Sequence, residues 1–306
     1  MNIPFKNLYE IKGGLSKKKV FRKIEYRLNK IIIDFSEDKK EFHNFLNIYK
    51  ILKKINISIP KIYEVNVNKN FIVMEDFGID SFDRIFNEKQ VYNLLKLAVD
   101  NLIIIQNSIC CDDLVYLEKY TYSELVKEIS EFINYYIPYK NIDSFNTNYF
   151  YALWEKNFKN QNFCFDSFVF KDFEFINLIF LKRKNSHLQC GIIDFQNAFL
   201  GFKGWDLFTI LENPRINFTR TYNEDLIKYF YENTNLPQDF NVFRDQYYIL
   251  NLARHTRLLG RWVKLYNEGN KNCLDFLYST QKRLISCLDN IKDKNLIKLY
   301  QNVLLD

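Results

Sequence analysis

The sequence predicts an α+β fold, with a small antiparallel sheet and one helix at the N-terminal end followed by a larger, mainly helical part. Three observations predict it. Apolar and charged residues alternate between about residues 9 and 35, the period of half-buried strands. From Val91 onward apolar residues recur mostly at helical spacing. The change falls just after Glu75-Asp76-Phe77-Gly78, so two domains are expected, residues 1–78 and 79–306. A chain of 306 residues is long enough for both.

The elements follow in order. Gly13-Gly14 is a turn signal ahead of Val20, Ile24 and Tyr26 and then Ile31, Ile32 and Ile33, which gives two or three antiparallel strands. Ser36, with Glu37 and Asp38 behind it, marks a helix start. Phe42, Phe45, Leu46, Tyr49 and Leu52 then fall on one helical face. Pro60 precedes a strand opening at Ile62, and Phe71 to Met74 forms another. Helical patterns run from Val91 to Gln106, Thr121 to Tyr136 and Tyr149 to Phe158. A short strand pair is expected around Phe168–Val169 and Leu178–Leu181, with Leu188–Ile193 after it. From Asp206 the pattern is helical to the C-terminus.

Composition narrows the function. A net charge of +6 favours anionic ligands such as nucleotides. The basic residues are scattered, with tight runs only at Lys17-Lys18-Lys19 and Lys182-Arg183-Lys184, and no recognition motif accompanies them, so no nucleic-acid partner is expected. Six cysteines include no Cys-x-x-Cys pair, and three histidines leave little for a Cys/His zinc site. The apolar run from Leu94 to Cys111 is broken by Lys96, Asp100 and Gln106, too short and polar for a membrane span. Met1 to Ile11 lacks the apolar core of a signal peptide. A cytoplasmic protein with reduced thiols and no membrane partner is expected.

The informative segment is Phe168 to Phe180. Asp172 is followed five residues later by Asn177, and Asp194 follows within Gly191-Ile-Ile-Asp-Phe-Gln196. Taken singly, such residues more often cap turns. Together, in this order and flanked by apolar runs, they suit phosphoryl transfer. A carboxylate must orient the attacking hydroxyl and take its proton, which is the role for Asp172. Mg²⁺ prefers oxygen ligands and takes few from protein, which suits Asn177 and Asp194. The bound nucleotide would be ATP. Upstream, Gly13, Gly14 and Ser16 are candidates for a phosphate-covering turn, the alternative being a plain turn. Arg22 and the Lys17–Lys19 run lie on the same hairpin as candidates to meet phosphates; for the lysines a solvated hairpin face is the equal alternative.

These motifs resemble those of the aminoglycoside phosphotransferase/choline kinase superfamily, with its bilobal protein-kinase-like fold. Within it the chain is most similar to the N-acetylmuramate/N-acetylglucosamine anomeric kinase-type phosphotransferases. The resemblance covers nearly the whole chain. It rests on Gly14-Leu-Ser-Lys-Lys-Lys-Val-Phe-Arg22, Ile59-Pro-Lys-Ile-Tyr63 and Ile72-Val-Met-Glu-Asp-Phe-Gly78. Most specific is Ile193-Asp-Phe-Gln-Asn-Ala198 with Gly201 and Trp205-Asp-Leu207; Arg254 to Gly260 adds to it.

The resemblance implies Asp172 as base, Asn177 and Asp194 as Mg²⁺ ligands, and Glu75, Asp76 and Phe77 near the adenine. Lys171, Gln196 and Arg215 become candidates for substrate contact, and Asp206 for a structural role. Departures stand beside these matches. Phe170 occupies the place of a usual histidine, Asn197 that of an acid, and Ile31-Ile-Ile-Asp34 offers no interior lysine for the phosphates. The implied activity is transfer of the γ-phosphate of ATP to a hydroxyl of a small molecule, with an amino sugar first. Choline and aminoglycoside acceptors stand as alternatives, for which Asp112, Asp113, Glu118, Glu124, Glu128 and Glu131 could line an acidic pocket. A nucleotide-binding pseudokinase is the alternative of another class.

Overall fold

The computed structural model describes residues 8–11, 18–25, 29–218 and 220–305. In chain order the strands are β1 (Leu8–Ile11), β2 (Lys19–Lys23), β3 (Lys30–Asp34), β4 (Ile62–Asn66), β5 (Phe71–Glu75), β6 (Ser167–Val169), β7 (Leu178–Phe180), β8 (Cys190–Ile192) and β9 (Phe199–Gly201). The first helices are α1 (Lys39–Leu52), α2 (Phe82–Ile85) and α3 (Val91–Ser108). Beyond them come α4 (Tyr122–Glu131), α5 (Ile137–Tyr139), α6 (Thr147–Asn160), α7 (Trp205–Leu211), α8 (Asn223–Glu232), α9 (Phe240–Asn267), α10 (Leu277–Leu288) and α11 (Lys294–Leu305). The chain forms two compact units, residues 1–116 with 170–198, and residues 117–169 with 199–306.

The first unit is built on a five-stranded antiparallel sheet in the order β1-β2-β3-β5-β4. Phe21, Ile32, Phe71 and Val73 form a buried cluster on it, as strand alternation requires of residues sharing one face. Helix α1 is capped by Asp38, whose side chain accepts from the Glu41 backbone N–H, two residues later than the Ser36 start expected. Its apolar stripe buries Phe42, Phe45, Ile48, Ile51 and Leu52. A β7–β8 hairpin completes this unit, pairing Leu178 with Ile192 and Phe180 with Cys190.

The expected pairing of 168–169 with 178–181 is corrected. β6 pairs with β9 across the chain, Phe168 opposite Leu200, and β7 pairs with β8. Three-residue strands carry too little alternation to select a partner, so packing decides.

The second unit is helical, organised around the 28-residue α9, which is buried along most of its length. Residues 132–136 widen into a π-helical turn between α4 and α5. Gly260 of α9 explains how closely these pieces approach: a Cβ there would lie 2.1 Å from the Glu131 backbone. Asp206 is buried in the first turn of α7. All six cysteines are unbridged. No described helix is long and apolar enough to cross a membrane.

Candidate functional site

The site forms in the first unit, at one end of the β7–β8 hairpin. Antiparallel pairing makes the residue before one strand a neighbour of the residues after the other. Asn177 precedes β7 and Asp194 lies just beyond β8, and the Ile193 N–H donates to the Asn177 carbonyl at 3.0 Å. The hairpin is held on both sides. The Ile192 N–H donates to the Ser58 carbonyl, the Ser58 hydroxyl to the Leu188 carbonyl, and the Phe180 N–H to the Asp80 carbonyl.

Asp172 reaches the same place through a tight turn. The Glu174 N–H donates to the Asp172 carbonyl and the Asn177 N–H to the Glu174 carbonyl. The Asn177 side-chain amide then donates to the Asp172 carbonyl at 2.9 Å. That bond fixes which end of the amide is nitrogen and turns its oxygen away. Lys171 and Asp194 both have positive φ, +75° and +61°. Such a conformation is tolerated by Asp and unfavourable for Lys, and strain of this kind clusters at functional sites. A crevice results, lined by Phe170, Asp172, Phe173, Asn177, Leu178, Ile192, Ile193 and Asp194.

Three oxygens in this group accept no hydrogen bond from any described residue. One Asp172 carboxylate oxygen takes the Asn197 amide at 2.9 Å and leaves the other open. The Asn177 oxygen is open, because only its nitrogen is engaged. One Asp194 oxygen accepts from Gln196 at 3.0 Å and from Lys18, and its second is open. No group of three or more His, Cys, Asp or Glu among the described residues is placed to hold a metal. The Asp194 carboxylate and the Asn177 amide oxygen are nevertheless ligands of the kind Mg²⁺ takes from protein, and they are the residues that would hold it.

Electrostatics distinguish Asp172. Burial raises its carboxyl pKa above the ordinary range, opposed by the Asn197 hydrogen bond and reinforced by the charges of Glu174 and Asp194. Aromatic packing holds the surroundings. Phe170 stacks on Phe173 with centroids 5.4 Å apart, so an aromatic ring fills the place where the resemblance implied histidine. Phe195, next to Asp194, stacks on Phe45 of α1 at 4.7 Å and ties the aspartate to that helix.

The other sequence candidates are placed as follows. Gly13, Gly14 and Ser16 lie outside the described residues. Arg22 holds Asp76 with two hydrogen bonds, 2.6 and 2.9 Å, and reaches the Gly78 carbonyl at 3.0 Å. Those side chains are therefore engaged with each other at the segment following β5. Gly78 has φ +91°, a turn conformation that favours glycine. Glu75 receives the Lys61 N–H and lies 3.8 Å from Arg183. Phe77 packs against Gly191, where a Cβ would come within 2.6 Å of its ring. Gln196 is buried, with its amide nitrogen on Asp194 and its oxygen without a partner among the described residues. Arg215 belongs to the second unit, over the Trp262 ring at 5.1 Å.

One contributor was missed by sequence reasoning, and another was not singled out from its neighbours. Asn197 was noted only as a departure, yet it is the residue that bonds Asp172. Lys18 belongs to the Lys17–Lys19 run read as a candidate for phosphate contact, and the structure singles it out: its ammonium sits against Asp194 and 3.5 Å from Glu41 of α1.

No protein-family model matches the chain. It is similar in sequence to an N-acetylmuramate/N-acetylglucosamine kinase of Neisseria meningitidis serogroup B, 21% identical over 255 residues, covering 79% of this chain and 73% of the relative. A kinase of the same description from Caulobacter vibrioides is 24% identical over 239 residues, covering 72% of this chain and 63%, less than two-thirds, of the relative. Among solved structures, a mutant aminoglycoside phosphotransferase APH(4)-Ia in ternary complex with ADP and hygromycin B matches with a TM-score of 0.59 at 13% identity, over 92% of this chain and 93% of that one. The fold is therefore the bilobal kinase-like fold of the aminoglycoside phosphotransferases, as the sequence predicted.

Proposed function

We propose that the protein is an ATP- and Mg²⁺-dependent phosphotransferase that moves the γ-phosphate to a hydroxyl of a small amino sugar of the N-acetylmuramate/N-acetylglucosamine type. The observation that carries the reaction class is the meeting of Asp172, Asn177 and Asp194 in one crevice, each with an open oxygen. The amino-sugar acceptor is supported by the names of the two sequence relatives. On this reading residues 1–78 form the nucleotide lobe, with the segment Glu75–Phe77 beside the base, and residues 79–306 form the catalytic and acceptor lobe.

Mg²⁺ held by Asn177 and Asp194 would neutralise the phosphate chain and polarise the group being transferred. The open Asp172 oxygen accepts a hydrogen bond from the acceptor hydroxyl and aims it at the γ-phosphorus. The new O–P bond forms as the bond to the β–γ bridging oxygen breaks, and ADP leaves with that electron pair. The hydroxyl proton passes to Asp172 and then to water. A carboxyl pKa raised by burial makes Asp172 a better-matched base, and Asn197 keeps its other oxygen oriented.

Cationic acceptors are less well served. Of the acids that suggested them, Asp113 pairs with Lys54, Glu128 lies 3.8 Å from Arg257, and Glu131 lies 2.9 Å from Arg261. The test is ADP release with Mg·ATP and each of N-acetylmuramate, N-acetylglucosamine, choline and an aminoglycoside. Turnover on an amino sugar is expected. Turnover confined to choline or the aminoglycoside would overturn the acceptor, and silence with every acceptor would favour a nucleotide-binding regulatory protein.

A further inference from the structure

We propose that Lys18, at the entry to β2, is the cation that holds the non-transferring phosphates of the nucleotide, taking over a task that kinase sites give to a lysine on the third strand. The inference rests on the phosphotransferase reading and assigns a further binding residue to it.

Phosphoryl-transfer sites of this kind pair such a lysine with a glutamate on the helix after the third strand, and aim it at the phosphates. Here β3 reads Lys30-Ile-Ile-Ile-Asp34, and Ile32 and Ile33 are buried. Its one lysine sits at the strand's start and pairs with Glu25 at 2.9 Å. Lys18 meets the glutamate instead. Its side chain is only 9% exposed, and its ammonium lies 3.5 Å from Glu41 of α1 while contacting Asp194, the proposed metal ligand. A nearly sealed ammonium needs anionic partners. Glu41 and Asp194 supply two, so the ammonium is fixed beside the crevice.

Strand alternation explains why this lysine and not its neighbours. Residues two apart share a face, so Lys18 and Arg22 lie on one side of the β2 line and Lys19 on the other. Lys19 is 48% exposed and pairs with Glu37. Arg22 holds Asp76 beside Gly78. One face of this segment thus carries a cation at each end, Lys18 by the proposed metal ligand and Arg22 by the proposed adenine segment. A nucleotide, with its base and its phosphates at opposite ends, matches that spacing of chemistry.

The test is calorimetric binding of ATP, ADP and adenosine, each with Mg²⁺, to the wild-type protein and to Lys18→Met, Lys18→Arg, Lys19→Met and Lys30→Met. Thermal melts confirm that each variant is folded. A charge-assisted contact to phosphate predicts that Lys18→Met weakens ATP and ADP by about 10- to 100-fold and leaves adenosine unchanged. Lys18→Arg, which keeps the charge and changes its geometry, is expected to lose less and in the same pattern. Lys19→Met and Lys30→Met are expected to bind all three as the wild type does. Unchanged ADP binding by Lys18→Met, equal loss of adenosine, or the same loss in Lys30→Met would overturn the assignment. If Lys18→Met does not fold, Lys18→Arg decides on the same criteria. A wild-type protein that binds no nucleotide would overturn the phosphotransferase reading itself, an outcome distinct from failure at Lys18.

Discussion

In the first unit, Asp172, Asn177 and Asp194 each keep one oxygen that no described neighbour satisfies. In the second unit, Glu212 is buried with both carboxylate oxygens engaged, one by the Asn223 amide at 2.7 Å and the other facing Arg220 at 3.6 Å. Arg220 is in turn wrapped by the carbonyls of Leu211, Asn213, Ile216 and Phe218. His255 lies between the carbonyls of Asn251 and Glu212. Both regions gather charge in a low-polarity setting. One leaves carboxylate and amide oxygens open at a crevice. The other pairs its charged groups, Glu212 and Arg220, with protein, and the amide oxygens of Asn223 and Asn251 are buried there without a partner among the described residues. The difference separates groups placed for a ligand from groups placed for the fold, and perturbed titration alone does not make that distinction: burial raises both Asp172 and Glu212.

The comparison can be broken by mutation. Asp172→Asn is expected to lower phosphoryl transfer by about 10²–10⁴-fold and to leave the melting temperature near that of the wild type. Glu212→Gln should do the reverse. Removing one partner of a buried pair leaves Arg220 uncompensated and costs about 3–5 kcal/mol in denaturant unfolding, with the activity of the folded fraction retained. If Asp172→Asn destabilises the protein as much as Glu212→Gln does, the contrast fails.

A pH series sharpens it. Burial, with Arg254 nearby, pushes the His255 pKa down from 6.5 to about 3, against the pull of two carbonyls. Between those values the unfolded chain binds a proton that the native chain does not. Stability is therefore expected to fall as pH drops from about 6.5 towards 3, and to be free of this effect above that window. His255→Gln should flatten the slope by up to about one proton; an unchanged slope would show that the imidazole is charged in the fold. The smallest effect belongs to the surface. Lys159 and Glu155 form an exposed pair one helical turn apart, and Lys159→Ala is expected to leave the denaturation midpoint unchanged.

Much of this was legible in the sequence, for identifiable reasons. Asp172, Asn177 and Asp194 sit at the ends of short apolar strands, so order and flanking residues were enough to bring them together. The sheet was legible from alternation, and α1 from its apolar stripe. The Lys17–Lys19 run was legible as a candidate for phosphate contact, but which of the three turns towards Asp194 was not, because consecutive lysines give no direction until the start of β2 is known. The partners of β6 and β7 were not, because three residues carry too little periodicity. Arg22 and Asp76 were both read as nucleotide contacts, and nothing in sequence separation foretold their hydrogen bonds to each other. Gly260 stood within a helical pattern, and only the approach of the Glu131 backbone explains it.

The central claim is that Asp194 and Asn177 present oxygens to a metal carried with the nucleotide. Calorimetric titration of ADP with and without Mg²⁺, in wild type and Asp194→Asn, tests it most directly. The account predicts that Mg²⁺ tightens wild-type binding by at least about tenfold and that the substitution abolishes this gain. Equal affinity with and without Mg²⁺ in the wild type, or the full gain retained in Asp194→Asn, would contradict it.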